Sequence, residues 1–206
     1  FAKKGDVIAE LAAMHERLTT MLAPNEAIGD ADADEIDRLV FRAAGLSKDE
    51  QNCIRDFVRV HLLMIKGKVE KDAIRGPNEH EVPTYLATLR DQLDNYMADE
   101  GQPASHHISA VCDHQTAMIE IVLREGKPAE PIVRKANESE ASELKKTRSR
   151  LLKKHRQWIY FDRNLRLYSK GRLYLFKPLQ RIQWTRRQAI LDADELIAEA
   201  LGSSGD

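Results

Sequence analysis

The chain has 206 residues, 42% apolar and 32% charged, with a formal net charge of −1 at pH 7. That length suits one domain or two small ones and can bury a real core, and the composition excludes a disordered tail. No stretch approaches the ~18 uninterrupted apolar residues that a membrane helix needs, so a membrane partner is not expected.

In chain order, residues 6–22 place Val7, Ile8, Leu11, Met14, Leu18 and Met21 at helical spacing, with Asp6 as N-cap. Residues 25–33 read as a loop. The spacing predicts a second helix at about 34–44, with Ile36, Leu39, Val40 and Ala43 on one face, ending at Gly45. Ser47 and Glu50 have capping-box spacing and open a third helix, about 48–66. Residues 68–82 are polar, contain Gly76-Pro77-Asn78 and read as a linker. A fourth helix, about 83–98, carries Tyr85, Leu86, Leu89, Leu93 and Tyr96.

The period then changes. Residues 107–112 and 116–124 are rich in β-branched and alternating residues, and Asp113-His114-Gln115 joins them as a hairpin turn. Pro128 and Pro131 break the chain. A fifth helix, about 138–156, is capped by Asn137 or Ser139 and has a thin apolar stripe (Ala141, Leu144, Leu151, Leu152) beneath a basic face. Strands are expected at 158–161, 165–168 and 173–176, with turns at Arg163-Asn164 and Ser169-Lys170-Gly171. A last helix, about 186–201, sets Ala189, Ile190, Ala193, Leu196 and Ile197 in register. The fold class is therefore α+β and mainly helical. A helical, bundle-like, acidic region (1–98) precedes a basic α+β region (104–206) whose small antiparallel hairpins pack on helices.

The two cysteines, Cys53 and Cys112, lie in unrelated segments, and the seven histidines come with no Cys-x-x-Cys pair. Both features point to a reducing, cytoplasmic compartment and to no structural zinc site. The sequence opens at Phe1 with no signal-peptide pattern and reads as part of a longer polypeptide.

The small net charge conceals a segregation. Residues 145–187 hold fifteen Lys and Arg and one acid, Asp162, for a net +14, while the remainder sums to −15. A cluster of bases neutralises phosphates and releases condensed counterions, so duplex DNA is the expected partner. The expected contacts are Lys153, Lys154, Arg163, Arg166, Lys170, Arg172, Lys177, Arg181, Arg186 and Arg187. The interleaved Trp158, Tyr160, Phe161, Tyr168, Tyr174, Phe176 and Trp184 could stack on bases, but strand alternation assigns most of them to the core. Thr185 and Gln188 have capping-box spacing, which sets Arg186 and Arg187 beside the free amides of a helix N-terminus and makes a phosphate site there. In the alternative reading the basic half docks on an acidic partner protein or pairs with the acidic N-terminal half.

Two further patterns bear on chemistry. Asp113 with Glu125-Gly126-Lys127 matches the Asp…Glu-x-Lys arrangement of Mg²⁺-dependent nucleases, a third reading. His106, His107, Cys112 and His114 cluster near the hairpin, yet no second ligand pair completes a tetrahedral site. His61 and His155 read as packing or solvated residues. No glycine-rich nucleotide loop, His-Glu-x-x-His or Gly-x-Ser-x-Gly is present, and no cofactor or catalytic residue is expected.

Residues 35–41 (Glu-Ile-Asp-Arg-Leu-Val-Phe) followed by 45–50 (Gly-Leu-Ser-Lys-Asp-Glu) resemble a stretch near the end of large adenine-N6 DNA methyltransferases of the restriction–modification and phage-defence type. Residues 85–97 and 183–201 also look like C-terminal segments of proteins encoded in such defence islands. The resemblance touches about a quarter of the chain. The family's Asn/Asp-Pro-Pro-Tyr tetrapeptide and S-adenosylmethionine loop are absent, so no catalytic residue carries over. The resemblance implies a C-terminal module or accessory subunit of a DNA-modifying defence complex, with other subunits or domains as partners and no enzymatic activity of its own.

Overall fold

The computed structural model describes residues 4–21, 28–62, 71–99, 101, 104–154 and 165–203. The chain divides into two compact units, Phe1–Ile54 and Arg55–Asp206.

In the first unit, α1 (Lys4–Met21) packs on α2 (Asp30–Ala44), and Val7, Met14, Leu39 and Phe41 are buried. Arg17 bonds Asp32 at 2.5 Å, and Arg42 pairs with Glu10. α2 starts earlier than spacing predicts, because Asp30 and Asp32 suit the positive end of a helix. It ends at Gly45, whose φ of 69° lets its N–H and that of Leu46 return to the carbonyls of Arg42 and Phe41. α3 (Lys48–Asp56) opens on the expected capping box: Ser47 N–H donates to Glu50 Oε2 at 2.7 Å and Glu50 N–H to Ser47 Oγ at 3.3 Å.

In the second unit, a π-helical turn (Phe57–His61) continues from Asp56. The expected extension of that helix beyond 62 lies outside the described residues. The stretch read as a linker contains a single helical turn, Lys71–Ile74. Next, α4 (Glu81–Asp99) is capped reciprocally by Asn78 and Glu81 at 2.8 and 3.0 Å. β1 (Ala104–Cys112) and β2 (Thr116–Glu125) form the expected hairpin. They are followed by β3 (Ile132–Lys135), α5 (Glu138–Lys154), β4 (Leu165–Ser169), β5 (Arg172–Pro178), a 3₁₀ turn (Arg181–Gln183) and α6 (Arg186–Ser203). The strand expected at 158–161 lies outside the described residues.

The sheet order is β3-β1-β2-β5-β4, with β3 parallel to β1 and the other pairs antiparallel. The fold is thus mixed α+β, helical first and stranded in its C-terminal half. Sequence reading missed β3. Its four residues are all exposed on the sheet edge directly after Pro131, so burial imposes no alternating pattern on them.

The core lies between one sheet face and two helices. Register sets Ile108 against Ile121, Ala110 against Ile119 and Leu175 against Ile119. These side chains are buried with Val82, Tyr85, Leu86, Leu89 and Leu93 of α4 and Ala189, Ala193 and Leu196 of α6. Each large apolar side chain contributes about 2 kcal/mol by leaving water. The sequence expectation set a boundary near 98–104, whereas the compact units divide after Ile54. α4 cannot bury its apolar face without the sheet and α6, so it belongs to the second unit.

Among the described residues, no helix is long and apolar enough to cross a membrane.

Candidate functional site

Strand alternation places Lys177 on the same face of β5 as Leu173 and Leu175, while the apolar stripe of α6 (Ala189, Ala193, Leu196) passes through Asp192. Where these faces meet, Lys177 Nζ pairs with Asp192 Oδ2. Lys177 Nζ also donates to the Tyr85 hydroxyl at 2.9 Å, Tyr85 donates to Asp192 Oδ2 at 2.5 Å, and Gln188 Nε2 donates to Asp192 Oδ1 at 2.8 Å. The ammonium lies 4.1 Å from the centroid of the Tyr85 ring, and Trp184 meets that ring edge-on at 5.0 Å.

Lys177 and Tyr85 are 0% exposed and Asp192 is 1% exposed. Burial pushes the Asp192 carboxyl up, but the Lys177 charge and three hydrogen bonds outweigh it and hold the group below the usual carboxylate range. Burial first, then the adjacent Asp192 charge, pushes the Tyr85 phenol far up. The cluster is a closed ion pair at the helix–sheet junction. Lys177 is therefore withdrawn from the phosphate contact expected of it.

The other expected DNA residues divide into distinct groups. Arg166 bonds Glu195 at 2.5 Å and Glu199 at 2.7 Å, both on α6. Arg172 bonds Glu120 at 2.6 Å across the sheet. Arg181 bonds Glu81 at 3.0 Å, and the same carboxylate takes both Arg75 nitrogens at 2.8 and 2.9 Å. The partner acids therefore come from within the second unit. They also explain why α6 carries acids toward its unfavourable C-terminal end: Glu195 and Glu199 face Arg166 and Asp192 faces Lys177. Lys170 and Arg186 are exposed. Lys153 and Lys154 end α5, and Arg163 lies outside the described residues.

The expected phosphate site at the start of α6 is filled by this chain. Asp56 Oδ2 accepts the Arg187 N–H at 3.1 Å, and Thr185 Oγ1 accepts the Gln188 N–H at 3.1 Å. Burial raises the Asp56 carboxyl, against the pull of that N–H and of the Arg186 charge. The half-buried Arg187 guanidinium lies 5.7 Å over the Phe57 ring.

Geometry overturns the nuclease pattern. Asp113 sits in the β1–β2 turn, where its Oδ1 accepts the N–H groups of Gln115 and Thr116 at 2.6 Å each. Glu125 pairs with Ala104 at the far end of the hairpin, about 30 Å of strand away, and Lys127 follows it. His106 occupies that far end as well. Its Nδ1 lies 2.8 Å from Asp94 Oδ1, well removed from Cys112 and His114. The Cys112 thiol is pushed up to about 11 by burial and then by Asp113, which disfavours a thiolate ligand. Among the described residues, no group of three His, Cys, Asp or Glu could hold a metal ion.

The aromatics follow the alternation argument in part: Trp184 is buried, Tyr174 and Phe176 are half-buried, and Tyr168 is exposed. Sequence reading missed the buried pair, although a Lys and an Asp on two apolar faces were its signal. No family model, curated protein or solved structure matches this chain.

Proposed function

We propose that the chain is a DNA-associated module without catalytic chemistry of its own, and that α5 carries its phosphate contacts with help from Lys170 and Arg186. The observation behind this reading is the density of basic residues along α5. Ion pairing and burial engage Arg166, Arg172, Lys177 and Arg181, and Lys146 pairs with Glu143 at 2.6 Å on the surface of α5, a helix that holds Lys145, Lys146, Arg148, Arg150, Lys153 and Lys154 within ten residues. Helical spacing puts positions 146, 150, 153 and 154 on one side, opposite the buried Leu144. Such a row spans about 12 Å, enough to follow several phosphates of one strand. In the setting that the resemblance implies, the module serves a methyltransferase-type restriction or phage-defence complex in the cytoplasm, bracing other subunits on DNA.

The test is salt-titrated binding to a duplex. Replacing Lys146, Arg150 and Lys153 together with Ala should flatten the log–log slope by about 2 to 3 and weaken binding to all sequences alike. An unchanged slope refutes the reading.

The ion pairs of Arg166, Arg172 and Arg181 favour a second reading, a structural subunit that docks on a partner protein. Under it, Arg166→Ala and Arg181→Ala lower the melting temperature or partner binding and leave any DNA affinity unaltered.

A further inference from the structure

A cavity of about 740 Å³ opens at the end of the sheet remote from the Lys177 cluster. It lies between the last turns of α4 and α6, the outer half of β2 and the β4–β5 hairpin. Leu93, Met97, Ile121, Leu123, Leu196 and Ile197 make it largely apolar, and its size falls within the range of small-molecule sites. The acid on its wall, Glu199, is already held by Arg166 and by the Tyr168 hydroxyl. His106 on the opposite wall is oriented by Asp94. Arg172 on the same hairpin is held by Glu120, which leaves Lys170 as the exposed cation at the mouth among the described residues. This residue is exposed and makes no ion pair among the described residues.

Lys170 also occupies an unusual backbone position. The two-residue turn between Ser169 and Arg172 requires positive φ at both central positions, 51° at Lys170 and 71° at Gly171. Such turns favour Asn or Gly at the first of these, and a lysine there pays a backbone cost for a side chain at that spot.

We propose that this cavity binds a small amphiphilic anion, with an aliphatic or aromatic body against Leu93, Leu123 and Ile197 and an acidic head at Lys170. The inference shares only Lys170 with the DNA-binding reading, and the apolar wall that holds the body of the ligand lies outside the proposed phosphate contacts. Three probes test it on the full chain: anilinonaphthalene sulfonate as fluorescent reporter, with decanoate and decanol as competitors. One reporter should bind per folded chain and be displaced by decanoate at about tenfold lower concentration than by decanol.

Leu123→Trp and Ala200→Trp, both at exposed positions lining the cavity, should abolish reporter binding while the circular dichroism and melting temperature stay unchanged. Lys170→Glu keeps the same backbone constraint and should erase the preference for decanoate over decanol. Reporter binding that survives both tryptophan variants overturns the proposal, as does equal displacement by the two competitors. Duplex affinity measured on Leu123→Trp and Ala200→Trp should not change, which separates failure of this site from failure of the DNA reading.

Discussion

Lys177 and Asp192 hold each other in a fully buried site, and each depends on the other more than either helps the fold. Removing one partner strands a buried charge, so Asp192→Ala should cost about 3–5 kcal/mol in chemical denaturation. Replacing both, as Lys177→Met with Asp192→Leu, should recover most of that loss, because the apolar pair needs no compensating charge. Recovery of less than about half would mean that the Tyr85 and Gln188 hydrogen bonds carry the cluster instead.

Acid acts on the same group. The Asp192 carboxyl is depressed in the folded chain, so its contribution is fully present above the unfolded carboxylate value near pH 4 and is lost as pH falls through the folded value. Glu81, held by Arg75 and Asn78 against its burial, and Glu140, lowered to about 2 by Arg134 and the Asn137 N–H, share that sign. Melting temperature should therefore fall steeply between about pH 4 and pH 2, and less steeply in the doubly apolar variant.

At the scale of elements, α6 is the helix whose ends oppose its own dipole, and each misfit has a partner elsewhere in its unit. Asp56 supplies the anion that the N-terminal amides require. Asp56→Ala should lower stability by about 1 kcal/mol, comparable to losing a cap. An unaltered melting curve would show that Thr185 alone satisfies that end. The β4–β5 turn makes the opposite prediction. Lys170→Asn relieves the positive φ at that position and should raise stability by a few tenths of a kcal/mol while removing the charge at the cavity mouth. Helix starts were legible because a cap is a local pattern, as Ser47 with Glu50 and Asn137 with Glu140 illustrate. β3 was not legible, because an exposed edge strand of four residues is selected by the neighbour it pairs with.

For the whole molecule, the division after Ile54 has a direct consequence. The apolar cluster of α4, the sheet and α6 lies entirely within the second unit. A chain beginning at Leu46 should therefore melt cooperatively and keep the near-ultraviolet signal of the packed Tyr85 and Trp184. Loss of that signal would show that the first unit is needed for folding.

By itself the sequence determined the α+β class, most helix spans, the two hairpins and the charge segregation. Those depend on local periodicity, turn chemistry and counting. The tertiary structure alone decided which charges remain available. Arg166, Arg172 and Arg181 look like phosphate contacts in one dimension, but Glu199, Glu120 and Glu81 reach them across 33, 52 and 100 residues. At these positions the segregation along the chain is offset in space because opposite charges far apart in sequence are brought together by packing, and only folding can set that pairing.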